Sequence, residues 1–317
     1  MIKKILFTGL IIAQMVVILF LSIRITQNKK NVLGETSVNT IPKNSIKLSP
    51  MNNLKYFYEL KPNTVEEFNK DWLPNVPKYT INADSLNERF DYSVENPEKT
   101  YRIITLGDSF TFGQNVSTEK NWAELLENQL NKKLSCKDIN KFEVINLGVY
   151  GYDTQYAVER FRLRGEKYNP DLVIWMFTDF ERVLEKTMPY ILDHKKEAVL
   201  LEKQGIYYKN WKDARENLEK KIGKAGFNNY LKEQLEKFND LYDKKLLLMA
   251  LPNNQIYIDT LGVFVSQRAN TNFFKPSIKW EQKEYFLPDL HFNDLGHQKM
   301  AAEVLDYLNK NKLFPCN

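Results

Sequence analysis

Cysteine and histidine are scarce in this chain. Two cysteines and three histidines among 317 residues provide no zinc-spaced Cys/His set, which excludes a structural zinc site. No internal repeat or low-complexity tract is visible, so a solenoid or a disordered array is excluded as well. Charge of one sign is also missing. The 45 basic residues face 40 acidic ones for a net +5, and the lysines of 195–245 alternate with Glu and Asp, the pattern of solvated helix faces. No nucleic-acid partner is expected from that distribution. What is present is an ordinary core inventory, 43% apolar and 13% aromatic, in a length that suits one large α/β domain or two small ones.

Long hydrophobic runs are confined to one place. Ile5 to Ile23 is broken only by Thr8, Gly9, Gln14 and Ser22, with Lys3 and Lys4 before it and Arg24, Lys29 and Lys30 after. A helix of that length reaches across a hydrocarbon core of about 30 Å. No A-x-A site follows and no cysteine is placed for lipid attachment, so residues 1–30 are expected to be an uncleaved signal anchor with the membrane as partner, a removed signal peptide being the alternative. The flanking charges are nearly balanced and set no orientation.

Residues 31–100 carry Asn, Ser, Lys and Pro with scattered aromatics (Tyr56, Phe57, Tyr58, Trp72, Tyr79) and little periodicity. They are expected to be a tether and then an irregular segment packed on the domain of 101–317. From Tyr101 short apolar runs alternate with amphipathic stretches. Arg102–Leu106, Phe142–Leu147, Asp171–Phe177, Lys245–Leu251 and Ile256–Thr260 are expected strands; Trp122 to Leu134, Asp153–Tyr168 and His297–Lys312 are expected helices. Alternation of this kind predicts an α/β fold with right-handed crossovers and a mostly parallel sheet covered on both faces. The charged stretch of about 180–244 is too long for a simple crossover and is expected to be a helical insertion.

In such a sheet the ligand crevice lies beyond the carboxyl ends of the strands. The first strand ends at Gly107-Asp108-Ser109, the second at Asn146-Leu147-Gly148, the third at Thr178-Asp179, and the loop before the last helix reads Asp289-Leu290-His291-Phe292-Asn293. A hydroxyl, backbone donors and an imidazole with a nearby carboxylate are the inventory of acyl transfer through a serine. Ser109 is then the nucleophile, His291 its base and Asp289 the group that orients the imidazole, a backbone carbonyl being the alternative. The amides of Ser109 and Gly148 and the hydroxyl of Thr178 are candidate oxyanion donors. Asp108 is expected to hold the turn through local bonds, and His297 to stabilise the first turn of the last helix.

The blocks GDSFTFG (Gly107 to Gly113), NLGVYG with Gly148, and DLHFNDLGH (Asp289 to His297) resemble the SGNH (GDSL-type) hydrolase family in the family's own order. The likeness covers about residues 101–312. It implies a three-layer α/β/α flavodoxin-like sandwich with a parallel sheet, here preceded by one transmembrane helix. It also implies an ester-hydrolysing enzyme with no metal or organic cofactor. Two departures stand out: Thr178-Asp179 replaces the usual Asn-Asp pair, and only Leu290 separates Asp289 from His291, a spacing similar to that of polysaccharide O-acetyltransferases.

The leading expectation is a membrane-anchored serine esterase, an O-acetyl group on envelope carbohydrate being one suitable ester, with the domain outside the cytoplasm. Transfer of the acyl group to a sugar hydroxyl and a decayed, purely binding scaffold are the alternatives. A flavodoxin-like strand order sets the helices preceding Cys136 and Cys316 side by side, so a disulfide is geometrically allowed, with two free thiols as the plain alternative.

Overall fold

The computed structural model describes residues 45–47, 54–133, 136–178, 182–194, 209–251 and 255–316. The expected anchor, residues 1–30, lies outside them, and among the described residues no helix is long and apolar enough to cross a membrane. Two small antiparallel pairs come first: β1 (Ser45–Lys47) with β2 (Tyr58–Leu60), and β3 (Thr64–Glu67) with β4 (Lys78–Ile81). The main elements follow as β5 (Thr100–Leu106), α1 (Ser109–Phe112), α2 (Trp122–Lys133), β6 (Lys141–Asn146), α3 (Thr154–Arg160) and β7 (Leu172–Phe177). After them come α4 (Leu184–Asp193), α5 (Lys209–Leu241), β8 (Lys245–Ala250), α6 (Gln255–Ser266), β9 (Thr271–Phe274) and α7 (Asp294–Lys310).

Strands β5 to β9 form one parallel sheet in the order β6-β5-β7-β8-β9. The first strand of the sheet in sequence is therefore its second in space, which is the flavodoxin-like order and places a switch point between β5 and β7. One face is covered by α2 and α7 through Trp122, Leu126, Leu130, Met300, Val304 and Leu308. The other is covered by α3, α5 and α6 through Ala157, Val158, Leu231, Phe238, Leu261 and Phe264. All-apolar strands such as Leu172–Phe177, buried at every position, are what a sheet sandwiched between helices requires.

Two sequence expectations change here. Ile256–Thr260 is not a strand but part of α6. Its β-branched run buries Tyr257, Ile258, Leu261 and Phe264, a helical spacing, because a helix is needed there to carry the parallel crossover from β8 to β9. Within 180–244, the second half of α5 lies in the core beneath the sheet and serves as the crossover between β7 and β8. The helix breaks at Gly223 (φ 64°). Residues 54–98 are stitched to the domain: Leu54, Phe57, Tyr58 and Tyr79 share a core with Phe112, Tyr152, Tyr156 and Met188. The Tyr58 hydroxyl donates to the Tyr150 carbonyl (2.5 Å), and buried Arg160 pairs with Glu59.

Strand β6 is the edge of the sheet, and its outward donors are capped by side chains. The amide of Phe142 donates to Asn131 Oδ1 (2.9 Å), that of Val144 to Glu127 Oε2 (2.8 Å) and that of Asn146 to Glu88 Oε1 (2.5 Å). Alternate residues of a strand point their N–H groups to one side, so three acceptors close the edge against further pairing. The arrangement buries carboxyls. Burial raises Glu127 to about 7, a shift that the Val144 amide only partly offsets, and burial with the neighbouring Glu124 and Glu127 lifts Glu88 well above the carboxylate range.

Cys136 and Cys316, 180 residues apart, form a disulfide with Cα atoms 4.8 Å apart. It ties the segment after α2 to the segment after α7.

Two predictions follow. Because Glu127 titrates near 7 when folded and at 4.5 as a free group, its contribution is present below about pH 4.5 and is lost as pH rises through 7. Glu127→Gln keeps the acceptor for Val144 and should stabilise the protein by roughly 2–3 kcal/mol at pH 8 but not at pH 4.5. Thermal unfolding across that range checks it, and a difference independent of pH would refute it. Thiol alkylation should label neither cysteine without reductant and both with it, and reduction should cost about 3–5 kcal/mol in denaturant unfolding.

Candidate active site

At the end of β5 the chain reverses through Gly107 into α1. A methyl group at Gly107 (φ +154°) would sit 3.0 Å from the Met176 carbonyl oxygen, so the turn against β7 admits only glycine. Asp108 caps α1: one carboxylate oxygen accepts from the Phe110 amide (3.0 Å) and the other from the Thr178 hydroxyl. This is the local, turn-holding role expected of it. Ser109 is thereby fixed as the first residue of α1, where its amide has no partner within the helix.

The loop carrying the imidazole is closed on itself. The Leu287 amide donates to the His291 carbonyl (2.8 Å) and the Leu290 amide to the Leu287 carbonyl (2.9 Å), while Phe286 and Phe292 make an antiparallel bridge. His291 Nε2 lies 2.8 Å from Ser109 Oγ, joining positions 182 residues apart. On the far side of the ring, Nδ1 lies 3.1 Å from Asp289 Oδ2, close but off the line of a hydrogen bond. Asp289 Oδ1 accepts from the His291 amide (3.3 Å). With a single residue between acid and imidazole, both contacts require a sharp reversal, and Leu290 makes it in the left-handed region (φ 67°). For a leucine that conformation costs roughly 1–2 kcal/mol.

The acid is surrounded. Burial pushes the Asp289 carboxyl up, but the close approach of His291, together with the charge of Lys70, brings it below the usual carboxylate value. Asn115 Nδ2 donates to Asp289 Oδ2 (2.8 Å), and Lys70 Nζ stands 4.0 Å from the same oxygen. Phe110 stacks on the His291 ring at 5.1 Å between centroids. Ser109 is only 3% exposed, against 16% for the His291 side chain, so the imidazole is the more exposed of the two.

Two of the expected donors are engaged elsewhere. The Gly148 amide donates to Asn146 Oδ1 within its own turn (2.9 Å). A methyl at Gly148 would come within 2.7 Å of the Thr111 carbonyl carbon, so its glycine is needed for the close approach of two backbones. Thr178 gives its hydroxyl proton to Asp108 and so buttresses the turn. Asp179 lies outside the described residues. Buried His297 accepts from the Trp122 amide through Nδ1 (3.2 Å); burial, with the charge of His291, lowers it to about 3, so it is neutral. It joins the start of α2 to α7. Asn115 and Lys70 were invisible to motif reasoning. Asn115 follows GDSFTFG by one residue and its positive φ of 72° is a conformation asparagine tolerates, but nothing in sequence marks Lys70. Among the described residues no group of three or more His, Cys, Asp or Glu is placed to hold a metal ion.

Ser109, His291 and Asp289 thus have the geometry of a nucleophile, a base and an orienting carboxylate. The sequence model described as "GDSL-like Lipase/Acylhydrolase family" matches residues 105–299, which contain all three. No curated protein matches the chain. Among solved structures, a two-domain esterase (CEX) active on acetylated mannans is 18% identical with a TM-score of 0.45, over 69% of this chain and 52% of that one. A lipase/acylhydrolase from Enterococcus faecalis is 17% identical with a TM-score of 0.42, over 68% and 99%. A family 3 carbohydrate esterase from Clostridium thermocellum is 15% identical with a TM-score of 0.41, over 67% and 97%. These likenesses are too distant to say anything of substrate. The family match spans well over half of the chain, and the protein belongs to the GDSL-like lipase/acylhydrolase (SGNH hydrolase) family of ester-hydrolysing enzymes.

Proposed function

We propose that this protein is a serine esterase for short acyl groups, anchored to a membrane by residues 1–30 with its domain outside the cytoplasm. The observation that carries the chemistry is the 2.8 Å contact between Ser109 Oγ and His291 Nε2. Neutral His291 takes the Ser109 proton as Oγ attacks the ester carbonyl carbon. Asp289, 3.1 Å from Nδ1, stabilises the imidazolium that forms. Negative charge on the former carbonyl oxygen is met by the Ser109 amide, the first of α1. The tetrahedral species collapses, His291 protonates the departing alcohol, and the acyl group remains on Ser109. Water, deprotonated in turn by His291, then releases the acid and restores the serine.

A short acyl group is favoured by the near-complete burial of Ser109 and by the Phe110 ring stacked on His291. Acetyl esters of carbohydrate fit that description. The Cys136–Cys316 disulfide supports an oxidising compartment, where such bonds persist, and with it an extracytoplasmic domain.

Ser109→Ala should abolish hydrolysis of a short-chain aryl ester and labelling by a fluorophosphonate, while circular dichroism and melting temperature stay unchanged. Turnover retained by the variant would remove the proposal. In an acyl series, acetate should be cleaved at least tenfold faster than octanoate in kcat/KM, as the penalty for overfilling a closed site implies.

A further inference from the structure

The β3–β4 hairpin precedes the residues matched by the family, yet the loop between its strands reaches the site. Lys70 stands in that loop with its side chain 6% exposed, Nζ 4.0 Å from Asp289 Oδ2, and the Asp289 side chain is itself 4% exposed. The ring centroids of Phe68 and Trp72 lie 4.7 and 4.9 Å from the ammonium. A lysine enclosed this way loses hydration that only charges and aromatic faces can replace.

The loop is held, not draped. The Phe68 amide donates to the Pro77 carbonyl (3.1 Å) and the Leu73 amide to the Lys70 carbonyl (2.9 Å). Strand β4 is fastened to the segment after α1: the Lys78 amide donates to Ser117 Oγ (3.0 Å) and the Thr80 amide to Thr118 Oγ1 (2.8 Å). The Tyr79 hydroxyl accepts from the Asn115 amide (2.7 Å), and Asn115 donates in turn to Asp289. Hairpin, α1 and acid therefore form one connected unit.

The geometry points to Lys70 as a positioning residue for ester hydrolysis: from a hairpin outside the matched family region, its ammonium holds Asp289 in place and offsets part of the negative charge that Asp289 presents to the imidazole. This inference rests on the Ser109–His291–Asp289 reading above. Without a cation beside Asp289 the imidazole faces the full negative charge of the carboxylate. Burial limits screening of that effect by salt. The other titratable groups that act on the pair are Tyr79 on β4, which faces Asp289, and His297 on α7, which faces His291. Among them Lys70 is the buried cation in contact with the acid.

The test is the pH dependence of kcat/KM for a short-chain aryl ester, and of the second-order rate of fluorophosphonate labelling, in wild type, Lys70→Met and Lys70→Arg. In Lys70→Met the acid limb should move up by about 0.5–1 pH unit, while Lys70→Arg keeps it near the wild-type position. A limb unmoved in Lys70→Met, with only the plateau lowered, would overturn the inference, as would an equal shift in Lys70→Arg. If Lys70→Met is recovered unfolded, Lys70→Gln takes its place under the same criteria. Activity surviving in Ser109→Ala defeats the underlying reading, whereas an inactive Ser109→Ala with an unmoved limb in Lys70→Met defeats the role of Lys70 alone.

Discussion

A hydroxyl and an imidazole that are 182 residues apart in sequence lie 2.8 Å apart in space, and the rest of the architecture serves that contact. Both groups must be fixed independently, since a shift of even 1 Å would break the contact. Ser109 is held by the parallel sheet: β5 delivers it, Gly107 lets the chain turn against β7, and Asp108 and Thr178 brace the turn. His291 is held by a short loop closed by its own backbone bonds and anchored by the Phe286–Phe292 bridge.

The close Asp289–His291 spacing has a structural consequence. One intervening residue leaves no slack, so Leu290 adopts a left-handed conformation, and Asp289 reaches Nδ1 off the ideal line. Asn115 and Lys70 then supply from outside the loop the restraint that a longer loop would supply from within. Both belong to or are fastened by the β3–β4 hairpin, which makes residues 54–98 part of the site's scaffold.

Charge burial recurs around this scaffold with opposite signs of pH response. His297, lowered to about 3 by burial and the charge of His291, destabilises the fold as pH falls from about 6.5 towards 3, since only the unfolded chain takes up the proton. Glu127, raised to about 7 by burial, acts in the other direction between pH 4.5 and 7. Each is retained for a backbone partner it satisfies, the Trp122 amide in one case and the Val144 amide in the other. An unsatisfied buried N–H costs about 1–3 kcal/mol.

By itself the sequence determined the parallel α/β class and the family, because apolar strand runs and three blocks at strand ends are local patterns that survive any packing. The membrane-anchor reading likewise rests on a local run, Ile5 to Ile23, outside the described residues. Tertiary structure alone decided that Ile256–Thr260 is helical, since a β-branched run fits either period until a crossover is required. It also decided that Gly148 and Thr178 spend their protons on Asn146 and Asp108, and that Lys70 meets Asp289. Such contacts join residues distant in the chain through side-chain geometry, and neither spacing nor composition encodes which donor finds which acceptor.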